Sequence, residues 1–481
     1  MDVVEIESRG VGVEFEEFAV FGGGSVDRIE VDLEVLAPMD QPAGGMGDDV
    51  DVWTLGYTIW PSEVAFAAGG VRQDPDPDYV GRDPLAEVVF EAHRRGIEVE
   101  AWFEYGFCFG WSGWYPGATG AVLVLAANPT GSARDQSGNS QVPDGGGGWF
   151  TWAVHEHPDV RRFLIDLAVE VVDRYDVDGV QFDRVRYPST DFGYDPVTSA
   201  AWQAANGSPP PANPNAAAWK RWRADGLIAF HQQLYAAVKA RRASVRVTNA
   251  PVIMPLSYDS FLQDWPAWVA VGALDLVYPQ VYRTTVSSYT TTLDQQLAYL
   301  TPAQRQLVAP GVRAVSGTPT SAVLGMVQAN RQRGLPGHVF WYAEGLYDDL
   351  PQLQANYFQA PAAVPGRPPL WRPAALVREE NDPTTTVTAG FLPSSQAGYS
   401  GGQARLALPF AAATDEVAYA LPVPEAGLYT LSAHVPSGAG LSAAAPVTVR
   451  HEGGVTVLRV DQGAGTPSGW RELGTFWCSQ G

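Results

Sequence analysis

The sequence predicts an α/β chain in which a (β/α)8 TIM-type barrel, expected to be incomplete at its first strand, is followed by a small all-β sandwich. Three observations predict it. Short β-branched runs alternate with helical patterns as far as about Phe358, as the βα units of a parallel sheet do. The stretch QAPAAVPGRPPLWRP, Gln359 to Pro373, reads as a proline-rich linker. Beyond it, EVAYALPVPEAGLYTLSAHVP and PVTVRHEGGVTVLRVDQ alternate with period two between turn residues. With 481 residues, 46% of them hydrophobic, the chain is long enough for two cores. The expected division is 1–51 as an atypical, acidic and glycine-rich segment, 52–358 as the barrel, 359–376 as the linker and 377–481 as the sandwich.

The elements follow in order. In DPLAEVVFEAHRRG, Asp83 is placed to cap, Pro84 suits the first turn, Leu85, Val88, Val89 and Ala92 share a face, and Gly96 ends the helix. The strand IEVEAWFEYG comes next. HPDVRRFLIDLAVEVVDRY forms a second helix with Val160, Leu164, Leu167, Ala168 and Val171 on one face, and leads into DVDGVQFDRVRYP, Asp176 to Pro188. GLIAFHQQLYAAVKARR repeats the helical period through Leu227, Phe230, Leu234 and Val238 before the strand SVRVTNAPV. LDLVYPQVY, LVAPGVR and GHVFWYAEG read as further strands. Two long loops, Gly106 to about Gly148 and Pro188 to about Pro214, interrupt the rhythm, and both follow strands on the side where a barrel builds its site.

Composition excludes some functions. The 53 acidic against 31 basic residues give a net charge of -22, which repels a phosphate backbone and makes nucleic acid an unsuitable partner. Cys108 and Cys478 are far apart in the chain and without metal-site spacing, so neither a disulfide framework nor structural zinc is implied. The start, MDVVEIESRG, shows no export signal, and no run of about 18 apolar residues reads as a transmembrane segment. No GxSxG, P-loop or dinucleotide fingerprint is present, and DGGGGW, Asp144 to Trp149, reads as a flexible loop. No cofactor is expected.

Strand alternation then sorts the chemistry. In IEVEAWFEYG the apolar set Ile97, Val99, Ala101 and Phe103 should face the helices, leaving Glu98, Glu100, Trp102 and Glu104 toward the barrel interior. In DVDGVQFD, Val180 and Phe182 face outward, and Gly179, Gln181 and Asp183 inward. Tyr278, Gln280 and Tyr282 align in LDLVYPQVY, as do Phe340, Tyr342 and Glu344 in GHVFWYAEG. If these sets face inward, Asp183, Glu104 and Glu344 converge on one rim as catalytic candidates. Trp102, Tyr105, Gln181, Asn249, Gln280, Tyr282 and Tyr342 are the substrate-binding candidates around them. Arg184, by parity, should leave this site.

Carboxylates gathered at an apolar rim suit glycosidic bond hydrolysis, in which one is held protonated while another stays ionised. The competing reading pairs these acids with Arg184, Arg186 or His155 in a structural network. Asp178, at the beginning of its strand, reads as a structural hydrogen-bonding residue. His155, Glu156 and His157 have metal-ligating side chains but lack the i, i+4 spacing of a helical zinc pair, so no metal is expected.

Several segments, in this order, resemble the bacterial glycosyl-hydrolase-like family 10: GYTIWPSEV, DPLAEVVFEAHRRGIEVEAWFEYGF, DVDGVQFDRVRYP, DWPAWVAVGALDLVYPQVY and FWYAEGL. The resemblance spans about Val52 to Phe358 and implies a (β/α)-barrel acting on cell-envelope glycans, including peptidoglycan strands stripped of peptides. It implies Asp183 as the leading catalytic carboxylate, Glu104 as the second acid, and Arg186, Tyr187, Gln280, Tyr282 and Glu344 around the sugar. The family's first strand carries an Arg-Gly-x-Trp pattern that is not recognisable in Met1 to Asp51, hence the expected gap; VDRIEVDLEVLA remains a candidate strand there. From about Val377, AGYSGGQARLA, VPEAGLYTLSAHVP, VTVRHEGGVTVLRVDQ and GWRELGTFWCSQG resemble the golvesin C-terminal-like domain, a β-sandwich appended to extracellular bacterial hydrolases. That sandwich is expected to lack its closing strand. The resulting expectation is a secreted or envelope-associated glycoside hydrolase with a polysaccharide substrate; the alternative is a non-catalytic glycan-binding protein.

Overall fold

The computed structural model describes residues 4–8, 14–15, 17–21, 52–75, 79, 81–93, 97–112, 123–143, 148–315, 317–341, 346, 348–359, 367, 375–379, 382–394, 404–407, 416–463 and 469–479. Helices form where the apolar period predicts them. Pro84–His93 opens with Asp83 accepting from the Ala86 amide and buries Leu85, Val88, Val89 and Ala92. Pro158–Arg174 begins on a His157 cap with proline in its first turn, and buries the expected face together with Phe163 and Val172. The third, Ala217–Arg241, is longer than its apolar period indicates.

These helices pack on parallel strands. Glu100–Phe103, Gly179–Phe182, Arg246–Asn249 and Leu276–Val277 form one sheet, with Glu100–Phe103 at its edge. Beyond that edge the Val52 amide donates to the Trp102 carbonyl (2.9 Å) and the Tyr105 amide to the Trp53 carbonyl (3.3 Å), so Val52 and Trp53 run alongside as a further parallel segment. At the other edge Val277 bridges Val308 in parallel, and Gly311–Arg313 pairs with Val339–Trp341. Seven parallel segments therefore succeed one another among the described residues, in chain order, with a helix after each. The first of them among the described residues, Val52 and Trp53, lies just past the stretch in which the family's first strand was sought. An eighth unit is not among the described residues, so the fold is a barrel-like parallel α/β layer.

Both long loops have structure of their own. The first contains a three-stranded antiparallel sheet, Cys108–Trp111, Trp149–Trp152 and Gln141–Pro143, with Trp149–Trp152 in the middle. The second contains the helix Pro196–Asn206, capped by Asp195 and ended by Gly207 in the left-handed region (φ 72°). Buried Arg223 ties this loop down through the carbonyls of Thr190 (2.7 Å), Phe192 and Pro214 (2.7 Å).

The tail forms antiparallel sheets around Val417, Tyr419, Leu431, Val447 and Val449. The N-terminal segment belongs to these sheets. Val4–Ser8 lies between Val417–Leu421 and Ala445–His451, and Glu17–Phe21 between Leu376–Glu379 and Gly427–Val435. Glu14–Phe15 adds to Ala404–Ala407. Two of these three strands thus occupy interior positions in the tail's sheets, and Glu14–Phe15 lies at an edge; VDRIEVDLEVLA lies outside the described residues. Trp470 joins the two units by stacking on Phe90 (4.1 Å) and donating to Glu91 (3.2 Å). Among the described residues no helix is long and apolar enough to cross a membrane.

Candidate active site

Period-two alternation delivers the side chains to the barrel interior. Phe103 and Phe182 stack on each other (4.5 Å) on the helix side, and Phe182 meets Phe230 of the third helix. Glu100 consequently points inward, where a Cβ on Gly179 would lie 2.7 Å from its side chain. At the amino ends of the strands, Arg246 bonds Glu98 (2.6 Å) and Glu100 (2.9 Å), and Thr248 and Tyr278 donate to Glu100 (2.9 and 3.2 Å). Arg367, from the linker, closes this floor: it lies 3.2 Å from Glu98 and donates to the carbonyls of Ser244 and Asp178. Asp178 accepts from His93 and the Val99 amide (both 3.0 Å), as a structural residue does.

The carboxyl ends of the same strands carry a different arrangement. Asp183, 7% exposed, accepts from the Arg184 amide at 2.6 Å and from Gln280 at 3.1 Å; Gln280 is itself held by the Ala250 carbonyl. Burial pushes the Asp183 carboxyl up to about 6, against the lowering effect of Arg186 and Arg184, and Glu104 adds to the rise. Glu104 is paired with Arg184 at 2.7 Å. That pairing corrects the parity expectation for Arg184. Its φ of 22° breaks the strand, and its guanidinium lies over the Tyr105 ring at 4.1 Å, within the site. The crossing is so close that only glycine fits at 106: φ is 44°, and a Cβ would approach the Asp183 carbonyl to 2.8 Å.

Other candidates divide by position. Trp102 points into the interior with its buried indole N–H unpartnered among the described residues, and Gln181, its register partner on the neighbouring strand, is also buried. Tyr282 stacks on Trp341 at 4.8 Å, lying over Gly311, where any side chain would displace it. Asn249 is turned the other way. Arg246 and Thr248 face inward, so Asn249 faces the third helix, where it meets His231 at 3.4 Å. Tyr187, expected at the sugar, is 1% exposed and stacked on His155 at 3.9 Å, so it packs beneath the rim. Glu344 and Tyr342 lie outside the described residues. Phe340, assigned to their inward set, is buried with the helix-side core, whereas Val339 joins Tyr278, Ala309 and Ala250 in the interior. Trp341 therefore faces inward, and sequence alternation had assigned it to the opposite face.

The HEH stretch supports the rim from behind. His155, held neutral by burial that pushes it down to about 3, bonds the Arg186 carbonyl at 2.8 Å. Glu156 pairs with Arg161 and His157 caps its helix. The arrangement as a whole offers one buried carboxyl of raised pKa, one carboxylate paired with an arginine, an amide donor and aromatic faces. Such a set suits acid–base chemistry on a sugar.

Comparison with known proteins identifies the family. Residues 49–331 match the model of Glycosyl hydrolase-like 10, and residues 375–481 that of the Golvesin C-terminal domain. Glycosyl hydrolase DigH of Escherichia coli (strain K12) is 27% identical over 250 residues, 47% of this chain and 52% of its own length. Glycosyl hydrolase YngK of Bacillus subtilis is 23% identical over 232 residues, 44% and 40% respectively. The chain spans about half the length of the curated relatives it matches. Among solved structures, the PgaB (BpsB) glycoside hydrolase domain of Bordetella bronchiseptica aligns over 57% of this chain and 79% of its own, with 15% identity and a TM-score of 0.44. The family match covers more than half of the sequence and includes the strand ends that carry Asp183, Glu104 and Gln280: the chain belongs to the glycosyl hydrolase-like 10 family.

Proposed function

We propose that this protein hydrolyses glycosidic bonds of a bacterial envelope or extracellular polysaccharide, peptidoglycan glycan strands among them. The observation that carries the reading is the contrast between two neighbouring acids. Asp183 is buried with its carboxyl pushed up to about 6, and Glu104 is paired with a guanidinium. In this reading Asp183 is the general acid that protonates the leaving oxygen, and Glu104 is the carboxylate that attacks or activates water. Gln280 orients Asp183, and Trp102, Tyr282 and Trp341 offer apolar faces to sugar rings. Glu344 is the candidate third carboxylate. The golvesin match, a domain associated with extracellular proteins, supports action in the envelope or outside the cell.

The test is reducing-end release from denuded peptidoglycan and a polysaccharide panel, with the native protein beside Asp183→Asn, Glu104→Gln and Glu344→Gln. Loss of turnover in Asp183→Asn with retained binding supports the assignment. Equal rates for the native protein and Asp183→Asn on every active substrate overturn it, and binding without turnover by the native protein moves the chain to the glycan-binding alternative.

A further inference from the structure

Arg186 stands apart from the other arginines around the site. Arg184 pairs with Glu104, Arg223 bonds carbonyls of the second loop, and Arg246 holds two carboxylates. Among the described residues the Arg186 guanidinium makes no hydrogen bond and no ion pair, and its Nε is buried without an acceptor. It lies between two aromatic rings, 4.8 Å from the centroid of Phe261 and 5.9 Å from that of Trp152. Its backbone is held by the bond from His155 to the Arg186 carbonyl.

A half-buried cation with its donors unmet is costly, and such a group persists where a ligand meets it. Asp183, two residues away, acts on it electrostatically but is outside ion-pair distance, and in the acid role it is protonated and neutral. Long-range attraction does not bring an anion here, because the chain carries a net charge of -22. Beyond roughly 8 Å that repulsion is screened at physiological salt, so a fixed local guanidinium decides whether an anionic group is accepted. One guanidinium balances one unit charge, and its planar fork matches a carboxylate bidentately.

We propose that Arg186 is a specificity residue that receives a carboxylate borne by the substrate sugar, with Trp152 and Phe261 flanking the guanidinium. The proposal takes the site of the hydrolase reading as its location, but it concerns binding. The carboxylate has two chemical sources, a uronic acid ring or a lactyl ether on an amino sugar. Each is compared with its own carboxyl-reduced alcohol.

The experiment titrates the full chain calorimetrically with oligosaccharides of both series, acid and alcohol, and measures initial rates on the same four ligands, for the native protein, Arg186→Gln and Arg186→Lys. The expected result is that the native protein prefers the acid in one series by about 10- to 100-fold, as a charge-assisted hydrogen-bonded pair supplies. Arg186→Gln should weaken binding of the acid about 10- to 100-fold more than binding of its alcohol, and Arg186→Lys should restore part of the preference, which also guards against misfolding of the Gln variant. Equal loss on acid and alcohol would mean that Arg186 acts only by positioning Asp183, and would overturn the proposal, as would a native protein indifferent to the carboxylate in both series. Acid-selective, Arg186-dependent binding without turnover would sink the hydrolase reading and leave this one standing.

Discussion

At the barrel floor, Glu98 and Glu100 face Arg246 and Arg367; at the rim, Glu104 and Asp183 face Arg184 and Arg186. The residue types match and the physics differs. On the floor both carboxylates have guanidinium partners, and Thr248 and Tyr278 take up further acceptor sites on Glu100. The rim stops short of that closure: among the described residues Asp183 is hydrogen-bonded by an amide and Gln280, and the Arg186 guanidinium has no hydrogen-bond or ion-pair partner. A closed network fixes a structure, and an open one leaves a proton and a charge for a ligand.

Substituting each end tests this contrast, and the largest effect belongs to the rim. Asp183→Asn should lower kcat/KM by about 10²- to 10⁴-fold without loss of folding, the usual contribution of a general acid. Next, Arg246→Met on the floor should cost about 3–5 kcal/mol in urea denaturation, because Glu100 loses the guanidinium beside it and Glu98 keeps only Arg367 among the described residues. The folded fraction should keep its kcat; a fall as large as that of Asp183→Asn would erase the distinction between the two ends.

A third effect follows from pH. The folded Asp183 carboxyl lies near 6, above its unfolded value of about 3.9. Its contribution to stability is therefore full below about pH 4 and is lost as pH rises through 6, amounting to about 3 kcal/mol by pH 8. Denaturation of the native protein across this range should show that loss, and Asp183→Asn should not. Activity dependent on the protonated acid should decline over the same interval, whereas a rise through pH 6 would make Asp183 the base. Smallest is Gly106→Ala, where a methyl group against the Asp183 carbonyl should cost about 1–3 kcal/mol and lower kcat by spreading the strand exits.

Much of this was legible because it is local. The faces of Pro84–His93 and Pro158–Arg174, and the inward set through Glu98, Glu100 and Trp102, depend on a repeat only a few residues long. The inward direction of Val339 was not legible, since VFW is apolar on both faces and alternation has nothing to sort. The left-handed backbone of Arg184 was hidden for another reason: arginine rarely adopts it, and the cause lies in the Gly106 crossing, remote in sequence. Arg223, which organises the second loop, looks in sequence like one more helical cation. The pairing of Val4–Ser8 with Val417–Leu421 has no local signature at all.

That last pairing sets an order on the life of the chain. Val4 leaves the ribosome before its partner Leu421, which follows about 400 residues later. At about 5–20 residues per second the delay is on the order of tens of seconds, during which the barrel strands emerge and are free to fold. The sheets that join the two ends are thus a late event of synthesis, and until it occurs the leading strands present unpaired edges to chaperones and to other nascent chains.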